Sequence, residues 1–339
     1  MTIKVNNVYI NSTSLVAGPY LNNGPLKEKF DYAYDDFYDG EKTFEDCEIK
    51  EGIRAIEILL EKESISSSDI DLMLSSDLTN QLMISNFVAK RFDIPFFGVY
   101  NACASFNEEL AIASLFLNNK KVKKVLCTTS SNTLTSERQF RSPVEYGLPK
   151  PIYATFTATA SCACIVSNTI SNVKIDTITI GKVTDLNIKD GSDMGSAMSP
   201  AAARTLYEHL EDTKRNIDYY DFILTGDLGK YGKEIFKEYL KKQYKITIKN
   251  YNDAATLIYN KDDKDTLAGG SGPSCMPLYL FSKIIPLMKE KKLNKVLLLA
   301  TGALFSLTSV NQKKSIPCIC HAVSLEVIWY LFFLFYFQV

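Results

Sequence analysis

Neither sign of charge is in excess in this sequence: 38 lysines and arginines stand against 39 aspartates and glutamates. No stretch concentrates basic residues with interleaved aromatics, so the footprint of a nucleic-acid groove is missing and no nucleic-acid partner is expected. Histidine is scarce, with only His209 and His321 present. That scarcity narrows the acid–base chemistry open to the chain. The eight cysteines lie in apolar or Ala/Ser-rich contexts rather than at framework spacings, which excludes a disulfide scaffold and suits a reducing compartment. Residues 1–10 lack the charged-then-apolar order of a secretion signal. The aromatic-rich run at 327–337 is shorter than the ~18 residues a bilayer span requires. It is expected to be an apolar tail, buried, disordered or divergent, rather than an interfacial anchor, although aromatics suit that depth.

No Pro/Gly-rich hinge divides the 339 residues, but two pairs of segments repeat in the same order. DLMLSSDL at 71–78 matches DFILTGDL at 221–228, and KKVKKVL at 120–126 matches KKLNKVL at 291–297. Each pair places a short apolar run of strand length after a polar or basic helix end, so the chain reads as an internal duplication.

Within each copy helix and strand alternate. Ile49, Ile53, Ile56 and Leu60 recur at helical spacing, the polar run 66–69 ends that helix, and 72–74 reads as a strand. Ile84, Phe87, Val88 and Arg91 mark a second helix that Pro95 stops, and 96–100 reads as a buried strand. Phe106, Leu110, Ala113 and Leu117 mark a third, followed by a strand at 125–129. The second half repeats this with a helix over 201–210, a strand at 222–225, helices near 235–240 and after 274, and a strand at 296–300. Such alternation predicts a mainly parallel sheet covered on both faces.

The strand at 96–100 feeds NACAS at 101–105 and then a helix, which places Cys103 on a sharp turn between small neighbours. A thiol facing the unpaired N–H groups of a helix start is expected to have a lowered pKa and to favour thiolate. The same N–H groups would suit an anionic ligand. A free cysteine is more often a small core residue.

NACAS, the duplication and TGALFS at 301–306 together resemble the thiolase-like superfamily of thiolases and ketoacyl synthases. Within that superfamily the chain is most similar to the stage V sporulation protein AD family, through SERQFR at 136–141, SDMGSAM at 192–198, TGDL at 225–228 and AGGSG at 268–272. The resemblance implies an α/β fold of two duplicated βαβαβ-type halves forming a layered αβαβα sandwich, with halves at 1–170 and 171–326 and a tail at 327–339. It also implies a protein of the forespore or spore, peripheral to the spore inner membrane. Such a protein would bind dipicolinic acid or its calcium chelate, support its uptake, associate with other spore membrane transport-apparatus proteins and form a homodimer. No other cofactor is implied.

Condensing enzymes of this fold pair the cysteine with a histidine and a second His or Asn. Here the corresponding loops carry Thr225-Gly226-Asp227 and 269–272, so a non-catalytic binding protein is expected, with an acyltransferase acylated at Cys103 as the alternative. Asp227 could act as a base, bond a loop N–H or meet a cation such as calcium. A flat aromatic dicarboxylate needs an apolar slot and several donors. The candidate ligand-binding residues are Asn101, Cys103, Ser105, Ser131, Asn132, Arg138, Asp227, Ser271 and Gly272. Arg138 and Arg141 lie one helical turn apart; the competing reading pairs them with Glu137 or Glu145, or puts them at a dimer contact. Asp193 and Ser196 are read as helix capping. Cys162 and Cys164, at i and i+2, are read as filling a sheet face rather than binding zinc, and no metal site is expected.

Overall fold

The structure, a computed structural model, describes residues 1–119, 121–140, 150–304 and 306–328. Arg141, Glu145 and all of the apolar tail beyond residue 328 lie outside the described residues. The first half contains β1 (Thr2–Lys4), β2 (Tyr9–Ala17), β3 (Tyr32–Ala33), α1 (Phe44–Glu63), β4 (Leu72–Ser76), α2 (Met83–Phe92), β5 (Phe96–Gly98), α3 (Ser105–Phe116), β6 (Lys124–Ser131), α4 (Thr133–Phe140), β7 (Phe156–Thr157) and β8 (Ala160–Ser167). The second contains β9 (Val173–Thr179), α5 (Met194–Thr213), β10 (Phe222–Thr225), α6 (Gly229–Tyr239), β11 (Tyr251–Asp253), β12 (Gly270–Ser271), α7 (Cys275–Tyr279), α8 (Ile285–Lys289), β13 (Lys295–Ala303), α9 (Leu307–Asn311) and β14 (Cys318–Val327).

Local chemistry sets the helix limits. Thr43 caps α1 by accepting from Asp46 N, and Ser64 ends it in the left-handed conformation. Asp193 caps α5 through Ser196 N at 3.3 Å, as its capping role predicts, although the helix starts at Met194, earlier than its apolar pattern does. The buried face of α1 carries Cys47, Glu48, Glu51, Ala55, Ile56 and Leu59, while Ile49 and Ile53 are only partly buried.

The two halves share one strand order. In the main sheet it runs β5-β4-β6-β8-β2 on one side and β11-β10-β13-β14-β9 on the other. The halves meet where Tyr9 and Ile10 of β2 pair with Lys174 and Val173 of β9. The repeat extends to single hydrogen bonds. Asp71 accepts from the N–H groups of Lys123 and Lys124 at 2.7 and 3.0 Å, and Asp221 accepts from those of Asn294 and Lys295 at the same two distances.

The sheet is mixed rather than mainly parallel. β4 runs parallel to β5 and β6, and β10 to β11 and β13, but β8 and β14 return antiparallel. A buried antiparallel strand carries the same continuous apolar run as a parallel one, so composition did not separate them. β5 also departs from its reading as a buried strand. It is the outermost strand of its half, and Phe97 and Tyr100 are 52% and 44% exposed.

Helices α3, α7 and α8 lie between the sheet halves, with Phe106 meeting Phe281 edge-on at 5.6 Å. α1 and α2 cover one outer face and α5 and α6 the other, giving five layers. Cys162 and Cys164 both face the central core while Ala163 between them faces α1, as period-two alternation requires.

Candidate functional site

Cys103 lies between β5 and α3, at a bend whose hinge is Ala102, a left-handed residue with φ +50. Its Cβ makes that conformation costly for any residue but glycine, so the surrounding contacts must hold it. Ser105 locks the bend, accepting from Asn101 N and donating to Ala102 O, both at 2.8 Å. Its hydroxyl is therefore committed to the turn. From the second half, β13 comes against the bend through Gly302, where a Cβ would lie 2.2 Å from Asn101 O. Gly272 approaches from the other side with φ +104, a conformation that favours glycine.

The Gly272 N–H faces two acceptors, Cys103 Sγ at 3.3 Å and Asp227 Oδ2 at 3.1 Å. Cys103, Asp227 and Gly272, drawn from three separated turns, thus form one cluster. Cys275, the first residue of α7, joins it as a second thiol beside Asp227. Asp227 is fully buried, and its Oδ1 has no hydrogen bond of ordinary geometry although both thiols neighbour the carboxyl.

The expected thiolate is overturned. Burial pushes the Cys103 thiol well above its ordinary value, and the adjacent Asp227 carboxyl pushes it further, while the Gly272 N–H opposes them only in part. As a residue Cys103 is half-buried, but protein surrounds the sulfur, and the surroundings of the sulfur govern thiolate solvation. Burial likewise raises Asp227 well above the carboxylate range. Both shifts work against the charged forms, so the cluster does not present a ready thiolate.

The remaining candidates fall into place around this cluster or away from it. Ser131 lies next to Gly272, whose added Cβ would be 2.8 Å from Ser131 Oγ, and its hydroxyl donates to Ala158 O at 2.7 Å. Ser271 is buried in β12, paired with Thr157. Asn132 caps α4 by accepting from Leu134 N at 2.9 Å, and its buried Nδ2 has no partner. Arg138 Nη1 donates to both carboxylate oxygens of Glu45, at 2.9 and 3.1 Å, beside a cleft of about 330 Å³ that also involves Thr79 and Gln139. It pairs with neither Glu137, which holds Lys150, nor a described residue of the Cys103 cluster.

His321 of β14 is the neighbour that sequence spacing missed. Its Nε2 lies 3.3 Å from Asn101 Nδ2, and its Nδ1 accepts from Gly181 N at 3.2 Å. Burial lowers it to about 4, so the ring is neutral. The signal available was the repeat itself: β13 carries the second copy of the 120–126 motif, and β14 pairs along its whole length, setting His321 opposite Ala300. His209 is far less ambiguous. It is buried in α5 between Thr179 Oγ1 at 2.7 Å and the Tyr220 hydroxyl at 2.5 Å, an interior polar pair. Sequence reasoning also missed three buried glutamates: Glu48, which accepts from Ser130 Oγ at 2.9 Å, Glu51, held by the Tyr34 hydroxyl, and Glu109, which accepts from Ser76 Oγ at 2.6 Å. Among the described residues no His/Cys/Asp/Glu group is arranged to hold a metal ion.

A model of the stage V sporulation protein AD family matches residues 1–326. The chain belongs to the stage V sporulation protein AD family. A curated relative, stage V sporulation protein AD of Bacillus subtilis (strain 168), is 42% identical over 320 residues, covering 94% of each chain. Solved structures share the thiolase-like fold. The 3-oxoacyl-[acyl-carrier-protein] synthase III of Aquifex aeolicus VF5 aligns with a TM-score of 0.57 at 14% identity, covering 94% of this chain and 99% of that one. A single-substitution variant of Xanthomonas campestris OleA aligns with a TM-score of 0.62 at 13% identity, covering 96% and 99%. This family member is therefore a sporulation protein built on the thiolase-like fold. No helix among its described residues is long and apolar enough to cross a membrane.

Proposed function

We propose that this sporulation protein binds dipicolinic acid, or its calcium chelate, and supports uptake of that ligand into the developing spore without catalysing a reaction on it. The observation that carries the reading is the pairing at the elbow: a desolvated Cys103 thiol faces a buried acid, Asp227, rather than an imidazole. Such a thiol is a poor nucleophile, because the thiolate is the reactive form. Hydrogen-bond donors at the same elbow can meet a bound dicarboxylate. Gly272 N–H and a protonated Asp227 can donate to carboxylate oxygens, and Asp227 Oδ1 is a buried atom still lacking a partner. A calcium ion arriving with the ligand would draw on the ionised carboxylate instead.

The protein acts, in this reading, at the spore inner membrane as a peripheral homodimer alongside membrane transport proteins. The outermost strand β5, with Phe97 and nearby Phe87 about half exposed, supports self-association through an open sheet edge. A thermal-shift titration with dipicolinate, with and without calcium, tests the ligand: binding to the native state must raise the melting temperature, and none at millimolar ligand counts against the proposal. Incubation with acyl thioesters tests the acyltransferase alternative, which predicts mass added at Cys103.

A further inference from the structure

A second concave site lies just past the C-terminal end of β13, in a cleft of about 430 Å³ whose lining includes Asp185, Lys189, Leu304, Lys313, Lys314 and Ser315 and no residue of the Cys103 cluster. Its walls are two loops fastened to each other. Thr184 and Cys318 exchange both backbone hydrogen bonds at 2.8 Å, Ile316 N donates to Ile188 O at 2.8 Å, and Leu304 N donates to Pro317 O at 2.8 Å. Asp185 is occupied within the walls, accepting from Asn187 N at 2.7 Å and from Ser315 Oγ at 2.5 Å. Asn187 and Lys313 both hold the left-handed backbone, with φ +61 and +56, on opposite walls of the cleft. Strain of that kind persists where surrounding contacts enforce it.

The charge in this cleft is unlike that of the chain as a whole, whose formal net charge is −1. Three lysines and one aspartate line it, which leaves two positive charges in excess. No ion pair joins Lys189, Lys313 or Lys314 to a described acidic residue. A cleft lined by one sign of charge concentrates the opposite ion. We propose that this cleft is an anion site, separate from the Cys103 cluster, for a small dianionic oxyanion of the phosphate or dicarboxylate type. Two excess positive charges match a dianion, and the backbone bonds between the two walls fix the loops that carry the three lysines. All three lysines are exposed, so the attraction is screened by salt.

The test is calorimetric titration of the full chain with inorganic phosphate at mildly alkaline pH, where the dianion dominates, at low and at high salt. The expected result is saturable binding that weakens as salt rises and falls at least about tenfold in the K189Q/K313Q/K314Q variant, but not in the control K261Q. An unchanged melting temperature in the triple variant shows that its fold is intact. Absence of saturable phosphate binding, or binding indifferent to the three substitutions, overturns the proposal. Sedimentation with vesicles containing phosphatidylglycerol forms a separate arm. Lysine-dependent sedimentation that phosphate fails to compete would also overturn it, by assigning the cleft to a membrane surface. Dipicolinate binding that survives in the triple variant reports the Cys103 cluster, so the two readings fail independently.

Discussion

Asp227 holds the position in the second repeat that Asp77 holds in the first, yet the two carboxyls serve different ends. Asp77 accepts from Thr79 N at 2.6 Å and from both Ser85 N and Ser85 Oγ, at 2.8 and 2.6 Å, fixing the start of the helix after its strand. In the second half Asp253 takes that duty, accepting from Leu228 N at 3.1 Å and Gly229 N at 2.9 Å. Asp227 is thereby left to face Cys103. In the second half the capping role falls to a residue of β11, which leaves Asp227 in the Cys103 cluster.

The division of labour is testable by substitution. Asp77→Ala should destabilise the fold by about 3 kcal/mol, because several buried donors lose their acceptor, and leave the Cys103 site chemically unchanged. Asp227→Asn should cost less stability, since the amide can still accept from Gly272 N–H. It should also speed alkylation of Cys103 by iodoacetamide, because it removes a carboxyl that raises the thiol. Denaturant unfolding and mass-detected alkylation read the two effects separately.

Stability should fall as pH rises. Burial, reinforced by Asp77, holds Glu48 up at about 8 against an ordinary value of 4.5. The folded state therefore keeps a proton that the unfolded chain releases, and stability present at low pH is lost between those two values at about 1.4 kcal/mol per pH unit. Glu51 and Glu109 are raised in the same direction by burial. Glu48→Gln should flatten the profile over this window in denaturant melts at stepped pH. A profile as steep as that of the parent would contradict the assignment.

Close approach of the halves predicts a contrast between two glycines. Gly302→Ala must move backbone, since the added carbon meets Asn101 O at 2.2 Å, whereas Gly226→Ala makes only ordinary contact with Met276 at 3.5 Å. The first should cost about 1–3 kcal/mol and weaken ligand binding at the elbow. The second should do neither.

Self-association should run through β5. Phe97→Glu places a charge on the exposed edge and should convert a dimer to a monomer in sedimentation velocity, with secondary structure retained. A parent chain that is monomeric at micromolar concentration would remove the homodimer from the account.

Much of this was legible in the sequence, and particular residues explain the rest. The repeated motifs located β4 and β10, and the equal hydrogen bonds of Asp71 and Asp221 are the physical content of that repeat. The turn carrying Cys103 was equally plain. Its protonation state was not, because the helix-start argument takes no account of the burial of the sulfur or of a carboxyl arriving from residue 227. Glu48 and Glu51 went unseen because charged residues on a helix are read as its wet face, and here they occupy the buried one. His321 reaches Asn101 through strand register, which no local pattern records.

The most direct measurement is calorimetric titration of dipicolinate, with and without calcium, into the parent chain and Asp227→Ala, followed by intact-mass analysis of each sample after exposure to acyl thioester. The account predicts saturable binding to the parent, at least about tenfold weaker binding to the variant, and no added mass on Cys103. Absence of binding together with an acylated Cys103 would contradict it.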